Sequence, residues 1–147
     1  MAGFIGRYLH SIDSKKRLSF PSKLRKLVPK RKGWHKFITT KGLDGCLYVF
    51  PHVEWTEIER RLRERPRFDK TTRNFIREIM SNAAPTDLDA QGRIPIPQYL
   101  LEMVGIKSEV LIIGAMDRLE LWDPETYRIH RQQSGQTFED AAEELLI

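Results

Sequence analysis

A single cysteine, Cys46, stands in the 147 residues, so the chain can form no internal disulfide and no all-cysteine metal site. Its place between Gly45 and Leu47 reads as a small buried hydrophobe. Long hydrophobic runs are missing too: nothing approaches the roughly 20 apolar residues of a membrane span. The stretch Met1 to Arg7 has no signal-peptide run, so a cytoplasmic chain without a membrane partner is expected. His10, His35, His52 and His130 are scattered without metal-ligand spacing, and no glycine-rich phosphate loop, hydrolase elbow or zinc motif occurs. Neither an enzyme, nor a cofactor, nor a small-molecule substrate is expected from such a chain.

Acidic residues are also scarce where they would matter most. Residues 1–41 hold twelve Lys/Arg against one acid, Asp13, a balance of +11 within a chain whose net charge is +5. The remaining residues carry the opposite sign, and Glu139, Asp140, Glu143 and Glu144 make an acidic end. Such asymmetry points to a polyanion surface built by the first quarter of the chain.

What is present is a repeat. Asp13-Ser14-Lys15-Lys16-Arg17-Leu18-Ser19-Phe20-Pro21 returns as Asp89-Ala90-Gln91-Gly92-Arg93-Ile94-Pro95-Ile96-Pro97, an offset of 76 residues from Asp13 to Asp89. Two copies imply two related units, because a solenoid needs at least three. Each copy is preceded by an extended segment, Phe4 to Ile12 and Ala84 to Leu88, and each passes through a turn into a short strand. Pro95 marks the second strand as an edge. Pro21 and Pro97 then suit the first position of short helices. A second hairpin follows in each unit, Phe37–Thr40 with Cys46–Phe50, and Val110–Ile113 with Leu119–Trp122. Cys46 to Phe50 is apolar on both faces, which predicts a core on one side and a subunit contact on the other. Pro51 and Pro124 lead into longer helices. Pro66 breaks the first, whose stripe is Trp55, Ile58 and Leu62, and Asp69 or Thr71 caps the next, with Phe75, Ile76, Ile79 and Met80 on one face. Thr137 to Leu146 reads as a last amphipathic helix capped by Thr137. Units with so little core of their own should complete one another into a small closed barrel.

These residues resemble the MraZ family of bacterial transcriptional regulators, made of two swapped-hairpin units of the AbrB type. The likeness rests on the doubled Asp-x-x-x-Arg motif, on Gly42 to Pro51, on Trp55 and on Asp89 to Pro97. It implies a mainly β fold with α additions: units 7–54 and 84–130 completing a double-split β-barrel, a helical insertion at 55–82 and a C-terminal acidic helix at 131–147. It also implies a homo-oligomeric ring, associated with the nucleoid. Such a ring binds short direct repeats in double-stranded DNA and represses its own division and cell-wall gene cluster. The first copy departs from the family pattern, since Lys16 stands where Gly92 stands in the second. A positive φ there costs lysine about 1 kcal/mol; either the first turn differs or Lys16 adds a cation beside the DNA.

A two-stranded ribbon fits the major groove, and arginine reads guanine with two parallel hydrogen bonds. Arg17, just past a turn, is the principal base-reading candidate, and Arg93, in neutral to acidic sequence surroundings, the secondary one. Lys15, Lys16, Arg7, Lys23 and Arg25 are read as phosphate contacts, which position without specifying. The bland reading of Arg17 and Arg93 is an internal pair with Asp13 and Asp89 that stiffens each turn, and both readings can hold together. The competing class is an antitoxin-like interaction module, with the acidic terminal helix as its docking segment.

Overall fold

In the computed structural model, which describes residues 3–147, the two copies of the repeat lie against each other. β2 (Arg17–Ser19) and β6 (Arg93–Pro95) form a two-stranded antiparallel ribbon with Leu18 opposite Ile94. A shift of 76 residues carries the Arg17–Pro95 pair onto the Arg93–Ser19 pair, so an approximate two-fold axis passes between Leu18 and Ile94. Alternation explains the ribbon: Leu18 and Ile94 are buried while Ser19 and Pro95 face outward. Pro95 is tolerated because β6 pairs on one side only.

The other strands make a six-stranded sheet in the order β1 (Arg7–Ser11), β7 (Glu109–Gly114), β8 (Leu119–Trp122), β4 (Leu47–Pro51), β3 (Lys36–Lys41), β5 (Ala84–Asp87). Each unit's first strand is exchanged, with β1 on β7 of the second unit and β5 on β3 of the first. The hairpins β3–β4 and β7–β8 meet through β4 and β8. Two short helices, α1 (Ser22–Arg25) and α4 (Gln98–Met103), bury Leu24, Leu100 and Leu101 in the core between ribbon and sheet. Phe4, Phe20 and Phe37 stack through that core, with ring centres 6.2 and 5.0 Å apart.

The remaining helices are α2 (His52–Arg63), α3 (Lys70–Ser81), α5 (Pro124–Gln133) and α6 (Phe138–Glu144). Asp69 caps α3, accepting from the Thr71 amide, and Thr40 Oγ1 donates to the Ile79 carbonyl, tying the end of α3 to β3. Thr137 caps α6 as its sequence predicts.

Two expectations need correction. Pro21, Pro51 and Pro97 precede their helices as cap residues with extended ψ of 131°, 148° and 138° instead of opening the first turn. Pro51 still belongs to β4, opposite Phe37, so the chain must stay extended through it. Pro124 alone of these prolines lies within its first turn. The second correction concerns β4. Its outer face, Tyr48 and Phe50, is packed by Trp55, Ile79 and Trp122 of the same chain, so the two-sided apolar pattern does not of itself call for another subunit. The two-sided apolar pattern reflects the sheet sandwiched between its own core and its own helices.

Leu18 is 2% exposed at the centre of the ribbon. Leu18→Ala should cost about 3 kcal/mol, read as a drop in chemical-denaturation midpoint at unchanged slope.

Candidate nucleic-acid interface

The turns that join β1 to β2 and β5 to β6 are built alike, bond for bond. Asp13 Oδ1 accepts from the Lys15 and Arg17 amides, and Oδ2 from Arg17 Nε at 2.9 Å. Asp89 Oδ1 accepts from the Gln91 and Arg93 amides, and Oδ2 from Arg93 Nε at 3.1 Å. The Arg17 amide, then the Arg17 side chain and the Lys15 amide, hold the Asp13 carboxyl below the usual carboxylate range. Asp89 is lowered by the Arg93 amide first, then by the Gln91 amide and the Arg93 side chain. Aspartate is needed here because one short carboxylate must reach two amides and a guanidinium across five residues.

The backbone crosses at the same point. The Phe20 amide donates to the Gly92 carbonyl at 2.8 Å and the Ile96 amide to the Lys16 carbonyl at 2.9 Å. Each turn is therefore tied to the strand that leaves the other. Lys16 has φ of 61° and Gly92 of 75°, so the first turn has the same left-handed geometry as the second in spite of its lysine. The two turns differ in what lies against them. A Cβ on Gly92 would run into the guanidinium of Arg25, which lies over that turn. The residue 76 positions after Arg25 is Leu101, which lines a shallow recess with Lys16. One helix thus sets a guanidinium over a glycine, and its counterpart buries a leucine in the core at the same position.

Arg93 is the more fully engaged arginine. It bonds Asp89, donates to Gln91 Oε1 and stands 3.7 Å from Asp13 of the other turn. Arg17 bonds only Asp13 through Nε, its side chain is 29% exposed, and its terminal amino groups have no protein partner among the described residues. The internal pair and an outward-reaching role are thus combined in Arg17.

Of the predicted cations, Lys15, Lys16 and Arg25 cluster with the paired turns, and Lys23 is exposed on α1 beside Arg25. Arg7 does not join them: it stands at the opposite end of β1, 5.7 Å above the Tyr127 ring. The neutral surroundings expected for Arg93 are corrected as well, because folding sets it beside the first turn, with Arg25 of the basic segment over the neighbouring Gly92. Gln91 is a contributor that sequence reading passed over; aligning the repeat sets it opposite Lys15. Trp55 and Trp122 are buried, and the Lys30 ammonium lies 3.8 Å over the Trp34 ring. Cys46 is 1% exposed, and burial pushes its thiol up, away from thiolate chemistry. Among the described residues no group of acidic, histidine and cysteine side chains could hold a metal, and no helix is long and apolar enough to cross a membrane.

A family model described as "MraZ protein, putative antitoxin-like" matches twice, at residues 4–78 and 79–147. The chain belongs to the MraZ family. It is 39% identical over 143 residues to a protein named transcriptional regulator MraZ from Syntrophomonas wolfei, spanning 97% of this chain and 96% of that protein. The double match makes the MraZ repeat a duplication of the whole unit and not of the turn alone.

Two outcomes test this geometry. Lys16→Gly relieves the left-handed strain, offset in part by a freer unfolded chain, and should stabilise by about 0.5–1 kcal/mol. Gly92→Ala, which adds the collision with Arg25, should lose more than about 1 kcal/mol in the same denaturation assay. Asp13 and Asp89 have folded pKa values lowered from an unfolded value of about 3.9, so their contribution is present above that pH and is lost as pH falls through the folded values. Acid titration of stability should therefore steepen below about pH 4, and Asp13→Asn should flatten that limb.

Proposed function

We propose that this chain is a sequence-specific double-stranded DNA-binding transcriptional regulator. The observation that carries the reading is the pair of Asp-x-x-x-Arg turns held side by side on one ribbon, with Lys15, Lys16, Lys23 and Arg25 around them. A two-stranded ribbon of this width enters the major groove. Asp13 orients Arg17 from behind while its terminal amino groups are left to reach a base edge. Lys15, Lys23 and Arg25 supply phosphate contacts, and Lys16 adds a cation at the tip of the first turn. Arg93, held by three partners, serves chiefly to stiffen the paired turns.

The name carried by the Syntrophomonas relative supports regulation of transcription. The finer reading is a homo-oligomeric ring on short direct repeats, repressing the division and cell-wall cluster to which the gene belongs, in the cytoplasm at the nucleoid. Several copies on repeated sites gain by effective concentration what one short ribbon lacks in contacts. For the domains, units 7–54 and 84–130 with an insertion at 55–82 and a tail at 131–147 follow the exchange of β1 and β5. One core shared by ribbon and sheet supports a double-split barrel. The antitoxin-like module is the second reading, favoured by the exposed apolar side chains of α6; a stable co-purifying protein partner would support it.

Mobility shift with the DNA upstream of the protein's own gene, across a salt series, tests the proposal. Arg17→Lys should keep non-specific binding while lowering the specific to non-specific ratio about tenfold or more. An unchanged ratio would remove base reading from Arg17. Lys23→Ala should weaken every sequence alike and reduce the salt slope by about 0.9.

A further inference from the structure

Two surfaces of this chain are left uncovered, and they match. In α6, Phe138, Ala141, Ala142 and Leu145 at its C-cap recur at the spacing of one helical stripe. No residue of α6 is buried: Phe138 is 85% exposed, and the following Leu145 and Leu146 are 68% and 92% exposed. Glu139, Asp140, Glu143 and Glu144 flank the stripe, and the helix holds no cation. A helix this short is marginal in water without a surface to pack on.

The second surface is a groove of about 520 Å³ between α2 and α3. Phe50, Ile58, Leu62, Phe75 and Ile79 line it with apolar surface, and Phe75 stays 44% exposed although its stripe faces inward. Its cations are Lys41, Arg61, Arg65 and Arg118, against the single acid Glu78. Lys41 is bound to Glu78 and Arg118 to Asp117, whereas Arg61 reaches Glu57 only at 3.5 Å and Arg65 is in no salt bridge among the described residues. The groove is apolar with an excess of positive charge, and α6 is apolar with only negative charge. In its own chain Phe138 stands beside Arg7, Trp122 and Tyr127, none of which lines the groove.

We propose that α6 of one copy docks in the α2–α3 groove of a second copy, its Phe138–Leu145 stripe on the apolar floor and its carboxylates against Arg61 and Arg65. The inference rests on the homo-oligomer reading and gives it an interface. Donor and acceptor are different surfaces, so the contact is head-to-tail, and successive copies close into a ring when the rotation between them allows. The mode is an amphipathic helix in a groove, with anchors at the first, fourth, fifth and eighth positions.

Light scattering of the full-length protein after size exclusion is the test. The wild type should run at a multiple of 17.3 kDa, and Leu145→Glu and the double variant R61E/R65E should each fall to the single-chain mass with unchanged circular dichroism. Mixing these two variants should restore a one-to-one complex, since one intact donor meets one intact acceptor. E139K/E143K, which leaves the apolar stripe alone, should likewise lose the oligomer and regain it when combined with R61E/R65E in one chain. Leu145→Glu at the wild-type mass, or a mixture that stays monomeric, overturns the docking while leaving an oligomer to be explained otherwise. A wild type that is itself monomeric overturns the oligomer reading and the interface together, and the mobility shift then decides DNA binding separately.

Discussion

The crossed pairing of β2 with β6 is the constraint on which the remaining structure depends. Neither strand can bury its leucine or isoleucine alone, and the Lys16 and Gly92 carbonyls each accept from an amide beyond the other turn. Once Leu18 faces Ile94, the exchange of first strands follows, because each chain segment entering its turn is already on the far side of the axis. The same pairing brings two aspartate–arginine turns within reach of each other, which no segment of the chain does locally.

Duplication supplies the symmetry, and differences between the two copies supply the asymmetry. Corresponding positions hold Lys16 and Gly92, Arg25 and Leu101, Lys15 and Gln91. Each difference moves positive charge toward one side of the ribbon or frees Arg17 relative to Arg93. A left-handed lysine is a local cost borne by a turn that is otherwise over-determined by three bonds to Asp13. Helical additions divide in the same way. α2, α3 and α5 close the outer face of the sheet, while α6 is capped and amphipathic but buries none of its own residues.

Much of this was legible in one dimension. The offset between Asp13 and Asp89, the two turns, the hairpin strands, the caps at Asp69 and Thr137 and the break near Pro66 rest on local chemistry, which acts over a few residues and is written in their order. Arg25 over Gly92 and Arg93 beside Asp13 were not legible, since those partners are 67 and 80 residues apart as their numbers stand. Nor was the fate of β4. An apolar strand announces that both faces are covered, but the cover can come from its own helices as well as from a neighbour.

By itself the sequence determined that there are two units, that each carries an aspartate-held turn, and that positive charge is concentrated in the first; periodicity, turn chemistry and charge are properties of short segments. Tertiary structure alone decided that the turns are partners, that Arg93 is held by three partners where Arg17 is held by Asp13, and that Arg7 lies away from both. Those outcomes depend on which segments meet across an axis, and contact between distant segments is settled by the packing of the shared core.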